Sequence, residues 1–286
     1  MKPEGKRKLT QLIAAVLYNC NFRGFAEGSI YKGNSKGICV PGLNCYSCPG
    51  AVAACPLGSL QSGLLSSRYK FPWYVLGMLI LFGLFLGRIV CGFLCPFGLI
   101  QELLHKIPTK KVRKGKVTRA LTWLKYVILA VFVILIPLVW LTPGFCKWIC
   151  PAGTLEGGIL LSITNETIRS MLGFLFSWKC LLLVGFVIAC IFVFRCFCRF
   201  FCPLGAIYSF FHSTALFRIR IDPSRCTGCG TCVSHCKMDV KKPGDRECIQ
   251  CGACREICPT QALSFFPKAA AHKIRPSACS KDPKDD

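Results

Sequence analysis

The chain has 286 residues, 53% of them hydrophobic, and its 36 Lys and Arg against 13 Asp and Glu give a net charge of +23. With 17% charged residues and a mean hydropathy of +0.48, it is too apolar for a disordered chain and too poor in charge for an ordinary soluble domain. A membrane protein is expected. The basic excess flanks the apolar runs, where loop orientation and anionic lipid headgroups account for it, so no nucleic-acid partner is expected.

From the N-terminus, Lys6-Arg7-Lys8 precedes a short apolar run, Leu9–Tyr18. It lacks a small-residue cleavage site and reads as an uncleaved anchor. A cysteine-rich stretch follows, Cys39-x5-Cys45-x2-Cys48-x6-Cys55. Three runs are long and apolar enough to span a bilayer: Phe71–Val90, Leu121–Leu141 and Met171–Phe194. Lys179 interrupts the third, so its first turns are expected along the interface. The shorter run Gly158–Ile163 lies between the second and third. Residues 104–120 carry Lys106, Lys110, Lys111, Arg113, Lys114, Lys116 and Arg119 without an acid, whereas the bases of 142–177 are only Lys147 and Arg169. That asymmetry places the N-terminus, the basic loop and the C-terminal domain in the cytoplasm, and residues 22–70 and 142–177 outside. From about Ile219 the chain turns polar.

The sequence holds 23 cysteines. Four times it writes Cys-Pro-x-Gly before an apolar-rich stretch, at Cys55, Cys95, Cys150 and Cys202; in three cases another cysteine lies four residues earlier, at Cys91, Cys146 and Cys198. Proline suits the first position of a helix. The free N–H groups after it, with the helix dipole, would face anionic cluster sulfurs. Arg88, Cys91, Cys95, Gly98 and His105 share their spacing with Arg195, Cys198, Cys202, Gly205 and His212. The eleven residues from Cys55 instead match those from Cys150. One four-iron cluster is therefore expected on Cys91, Cys95, Cys198 and Cys202 at the cytoplasmic side. A second is expected outside, on Cys55, Cys146 and Cys150. Its fourth ligand comes from Cys39, Cys45 or Cys48, with Cys48 favoured because it too precedes a proline. A rival grouping keeps Cys39, Cys45, Cys48 and Cys55 for a cluster of their own.

The C-terminal region writes Cys226-x2-Cys229-x2-Cys232-x3-Cys236 and Cys248-x2-Cys251-x2-Cys254-x3-Cys258-Pro259. Three closely spaced thiolates wrap one corner of a cubane, and the fourth cysteine of each run ligates the other cluster. Cys226, Cys229, Cys232 and Cys258 are thus expected on one 4Fe-4S cluster, and Cys248, Cys251, Cys254 and Cys236 on the other. Paired zinc sites fit this spacing poorly. Over about Ile219–Phe266 the chain resembles the bacterial two-cluster ferredoxin module, with Lys237 where that module usually has proline.

The expected fold is an α-helical integral membrane domain with internal Cys-Pro-x-Gly repeats, followed by a small α+β two-cluster ferredoxin-like domain. Its expected divisions are 1–70 (anchor helix and cysteine-rich loop), 71–218 (transmembrane), 219–267 (ferredoxin) and 268–286 (polar tail). Membrane Cys-x3-Cys-Pro pairs ahead of such a domain resemble the NapH-type polyferredoxins, which pass quinol electrons, and the membrane portions of NosR-type and CcoG-like proteins. The resemblance covers about Phe71–Phe266, and the third Cys-x3-Cys-Pro and the 39–55 segment depart from it. It implies a multi-pass protein of a prokaryotic cell membrane that relays electrons between a cytoplasmic redox partner protein and a membrane or outer-face partner, quinone among the candidates. No nucleophile–base pair, paired carboxylates or nucleotide loop is present, so the chain reads as a component of an oxidoreductase system rather than a stand-alone enzyme. A metal-handling or redox-sensing protein is the rival reading, and predicts exposed ligands such as Cys39 and Cys45.

Other residues carry two readings each. His105 and His212 are proton carriers or polar helix ends. Arg88 and Arg195 balance an anionic cluster or snorkel to the interface. Glu156 marks a quinone or proton path or a wet interface. Cys20, Cys180, Cys190, Cys196 and Cys279 fit no ligand spacing and read as small apolar or free thiols.

Overall fold

The apolar runs fold into helices because an unbroken ladder satisfies backbone polar groups where side chains offer none. In the computed structural model, which describes residues 3–66, 71–112 and 114–265, Lys116–Trp140 (25 residues) and Phe174–Phe192 (19 residues) are long and apolar enough to cross a membrane. The expected tail 268–286 with Cys279, and Arg113 of the basic loop, lie outside the described residues. At 1.5 Å per residue the second helix is about 28 Å long, close to the ~30 Å of a hydrocarbon core. It exposes Phe174, Leu181, Val184 and Ile188. Lys179 does not break it: the helix runs through, and the ammonium donates to the Cys146 carbonyl at 3.3 Å.

The first expected span is shorter than its apolar run. Its helix is Trp73–Phe85, 13 residues. The chain then leaves helical geometry at Gly87, whose φ of 51° a glycine adopts without strain, and enters a π-helical turn, Val90–Leu94. The N-terminal helix begins well before the apolar run and spans Pro3–Tyr18. It buries Arg7, Gln11 and Ala14 on one face and exposes Leu9, Leu12, Ile13, Val16 and Leu17. That is the reverse of a water-soluble amphipathic helix, with polar groups toward protein.

Each Cys-Pro-x-Gly opens a helix, as expected. Pro56–Leu65, Pro96–Leu104 and Pro203–Phe210 each have an extended cysteine as N-cap and proline in the first turn. Residues 151–164 repeat the pattern after Cys150, with a π-helical stretch at Gly153–Ile159. These helix starts converge on one core centred on Phe197, whose ring meets Phe97 edge-on at 5.2 Å and Phe186 at 5.3 Å, with Phe145 at 6.5 Å.

Residues 219–265 form the small C-terminal domain. Arg220–Ile221 pairs antiparallel with Leu263–Ser264, beside the one-turn helices Thr231–Ser234 and Ala253–Glu256. Gly230 and Gly252 precede those turns at φ 71° and 82°, the same left-handed step in both halves of the duplication.

Candidate metal centres

Cys91, Cys95, Cys198 and Cys202 come together at two helix starts, every pair within electrostatic reach. Among the described residues, no group of three or more His, Cys, Asp or Glu closes on a single ion. In all four repeats the glycine of Cys-Pro-x-Gly turns its N–H toward the cysteine sulfur, at 3.4 Å for Gly153 and Gly205. Free N–H groups at a helix start favour an anionic ligand.

The two halves of this inner site exchange their arginines. A Cβ on Gly98 would lie 3.0 Å from Arg195 Nη1, and one on Gly205 would lie 3.7 Å from Arg88 Nη2. Each repeat's arginine therefore covers the other repeat's glycine, a pseudo-twofold relation. Both guanidinium groups are fully buried, so the interfacial snorkelling reading is overturned. Arg195 pairs with Glu102 at 2.7 Å, and Glu102 also holds Arg7 of the N-terminal helix at 2.6 Å. The position equivalent to Glu102 in the second repeat is Ser209. Arg88 meets Glu247 of the C-terminal domain instead, at 3.5 Å, and Glu247 binds buried Lys125 at 2.5 Å. Arg88 Nε and Nη2 are buried with no hydrogen-bond partner among the described residues. Unmatched buried cationic donors beside four cysteines fit an anionic cluster. Gln101, six residues after Cys95, donates to Cys198 Sγ at 2.9 Å and accepts the Cys198 N–H at 3.3 Å.

That last contact recurs at the outer group. Gln61, six residues after Cys55, donates to Cys146 Sγ at 3.1 Å and accepts the Phe145 N–H at 3.0 Å. Glu156, six residues after Cys150, accepts the N–H of Cys45 at 2.7 Å. The exchange makes Cys45 the counterpart of Cys146. Cys45, Cys55, Cys146 and Cys150 are all within electrostatic reach of one another. They line a cavity of about 530 Å³ with Asn44, whose buried Nδ2 has no partner among the described residues. Cys48, the expected fourth ligand, is buried but does not line that cavity. Its following proline caps no helix: Pro49 lies in a turn. Cys39 bridges Ala54 and packs into the core.

In the C-terminal domain the fourth cysteine of each run lies beside a cysteine of the other. Cys236 and Cys254 lie near Cys248 and Cys251, while Cys258 lies near Cys229. Burial pushes the Cys236 thiol up to about 11 and Cys254 up to about 12. Such thiols ionise near neutrality only when a metal takes the charge. The Cys248 group faces the helical domain, whereas Cys229 is exposed to solvent. A Cβ on Gly92, beside Cys91, would stand 2.5 Å from the Ile249 carbonyl oxygen. The equivalent residue after Cys198 is Arg199, which forms a buried ion pair with Asp239. Gly92→Ala is expected to force the two domains apart at a cost of about 1–3 kcal/mol, read as a lower thermal midpoint in detergent.

The remaining residues sit apart from the sulfurs. His105 Nδ1 meets the Cys190 carbonyl at 3.3 Å and His212 Nδ1 the Ser209 carbonyl at 3.0 Å. Lys237 lies over the Phe194 ring, 5.5 Å from its centroid. Cys190 and Cys196 pack in a small apolar cluster, Cys20 is exposed, and no disulfide joins the described cysteines.

A helical domain and a ferredoxin module that each gather cysteines in fours define a polyferredoxin. A family described as a 4Fe-4S binding domain matches residues 71–115, 122–160 and 174–222, and a second with that description matches 219–242 and 245–264. The chain belongs to the NapH/NosR-like polyferredoxin family and binds multiple 4Fe-4S clusters. It is 32% identical to an uncharacterised protein of Methanocaldococcus jannaschii, over 74% of this chain and 85% of that protein. It is 24% identical to the ferredoxin-type protein NapH of Escherichia coli, over 73% of this chain and 72% of NapH. With the regulatory protein NosR of Pseudomonas aeruginosa it shares 27% identity over 59% of this chain but only 23% of NosR. No solved structure matches.

Proposed function

We propose that this chain is a multi-pass membrane relay for single electrons, with four 4Fe-4S clusters ordered from an outer site, through an inner site, to a cytoplasmic ferredoxin domain. The observation that carries the reading is the repeated exchange across both membrane groups. Gln61, Gln101 and Glu156, each six residues beyond a Cys-Pro, reach a cysteine of the facing half. This supports Cys45, Cys55, Cys146 and Cys150 as ligands of the outer site, and Cys91, Cys95, Cys198 and Cys202 as ligands of the inner one. The ferredoxin ligands follow their crossed spacing.

Bound clusters supply the one-electron chemistry. The chain supplies the rest: thiolates, glycine N–H donors and buried arginines that set how much negative charge each site bears. The inverted face of the N-terminal helix supports lipid around the domain. Lys114 of the basic loop donates to the Val233 carbonyl at 3.1 Å, which supports that loop and the ferredoxin domain lying on one side. A soluble protein would dock near the exposed Cys229. Metal handling called for exposed ligands, but Cys39 is buried and Cys45 lies within electrostatic reach of Cys48, Cys55, Cys146 and Cys150.

Anaerobic analysis of the intact protein in detergent is expected to find about 16 irons per chain, four for each cluster. Cys95→Ala and Cys202→Ala should each abolish the same spectroscopic signal, and the double variant should lose nothing further. About eight irons, or two signals lost separately, overturns the assignment.

A further inference from the structure

The inner site's symmetry is broken at one place, and the break falls at the boundary between domains. Arg195 is neutralised from within the helical domain by Glu102, but the equivalent position opposite Arg88 holds Ser209. Two fully buried cations, Arg88 and Lys125, would stand beside the inner cysteines without an acid of their own domain. Glu247 fills that place from the ferredoxin domain, and it directly precedes the ligand Cys248. Arg88 also donates to the neighbouring Arg246 carbonyl, and Gly92 packs on the Ile249 carbonyl. The ligand loop Cys248–Cys251 is thereby pressed against Cys91 and Gly92.

We infer that Glu247 is a positioning residue. It seats the Cys236, Cys248, Cys251 and Cys254 group on the inner site, and by the same bond it supplies the acid that sets the inner site's charge. Docking and redox tuning are then one interaction. A domain that swings away breaks its link to the inner site and also leaves Arg88 and Lys125 uncompensated. Stranded cations favour the more negative, reduced state of a neighbouring redox group, so an undocked inner site would hold its electron more tightly. The domain boundary thus acts as a gate that releases electrons only when closed. The inference rests on the four-cluster reading above.

The test is Glu247→Gln in the full-length, cluster-loaded protein. Glutamine keeps the size and removes the charge. Iron content is expected to stay at the wild-type value. The fully reduced spectrum should lose the magnetic interaction between the inner and Cys248-group clusters, and the inner signal should titrate at a higher potential. Protease should cut the link at residues 211–219 about tenfold faster, since losing a buried charge partner speeds separation. Glu247→Asp, one methylene shorter, should recover part of both the interaction and the protection. Wild-type interaction and an unmoved inner potential in Glu247→Gln overturn the inference. So does faster cleavage with an unmoved potential, because a purely structural latch gives that result. If Glu247→Gln does not accumulate, Glu247→Asp decides: a weakened interaction supports the gate and a wild-type spectrum overturns it. About eight irons in the unmutated protein instead overturns the reading beneath, and is seen before any variant is made.

Discussion

Cys45→Ala is expected to remove the outer cluster's signal and about four irons per chain, while Cys48→Ala leaves both unchanged. Proximity to proline favours Cys48, but geometry favours Cys45. Its N–H is held by Glu156, as Cys146 is held by Gln61 on the opposite half, and it lines one cavity with Cys55, Cys146 and Cys150, which Cys48, though near Cys45, does not. A cubane missing one thiolate in a cavity of about 530 Å³ is open to solvent and is lost, so the effect is close to all or none. Iron and sulfide analysis of the two variants, prepared side by side, checks it. Iron loss in Cys48→Ala with retention in Cys45→Ala would reverse the assignment.

The largest stability effect is expected at Glu102. Its carboxylate is shared by Arg7 and Arg195, and all three side chains are almost wholly buried. Glu102→Gln keeps the shape and leaves two interior guanidinium groups without a counter-charge, which costs about 3–5 kcal/mol. The exposed pair Arg23–Glu27 offers the contrast: Glu27→Gln should cost about 0.5 kcal/mol or less. Thermal midpoints of the loaded proteins in one detergent compare the two. Equal small shifts would mean that water reaches the Glu102 network.

The repeats carried most of what the sequence disclosed. The shared places of arginine, cysteine and glycine foretold the inner four-cysteine group, because helix starts after Cys-Pro have one local geometry. The ferredoxin ligands were expected from their duplicated spacing alone, and each run's fourth cysteine lies beside the other run. What escaped was non-local. Cys45 stood among three candidates for the outer fourth ligand but lies ten positions before Cys55 rather than four, so spacing did not single it out. Its one signal was the alignment of Glu156 with Gln61, which acquires meaning only when Gln61 is seen on Cys146. Glu247 was equally hidden, since the gap at Ser209 shows only once Arg88 is found buried. The first span ended early because Gly87 turns the chain, and Lys179 caused no break because a carbonyl of the neighbouring turn takes its ammonium.

The helix Phe174–Phe192 touches both four-cysteine groups of the helical domain: Lys179 reaches Cys146 at one end and Cys190 meets Gln101 at 3.6 Å toward the other. At 1.5 Å per residue those levels are about 16 Å apart, roughly half of a ~30 Å hydrocarbon core. On the proposed topology, an electron moving between them would cross about half of the transmembrane field. At 2.3 kcal/mol per charge per 100 mV, that is about 1 kcal/mol for each 100 mV, a several-fold change in how the electron divides between the two sites. An energised membrane, negative inside, would push that electron toward the proposed outer site, and dissipating the potential would let it return. A relay of the proposed topology would in this sense be a voltage-biased element, whose direction a cell could alter without changing either partner.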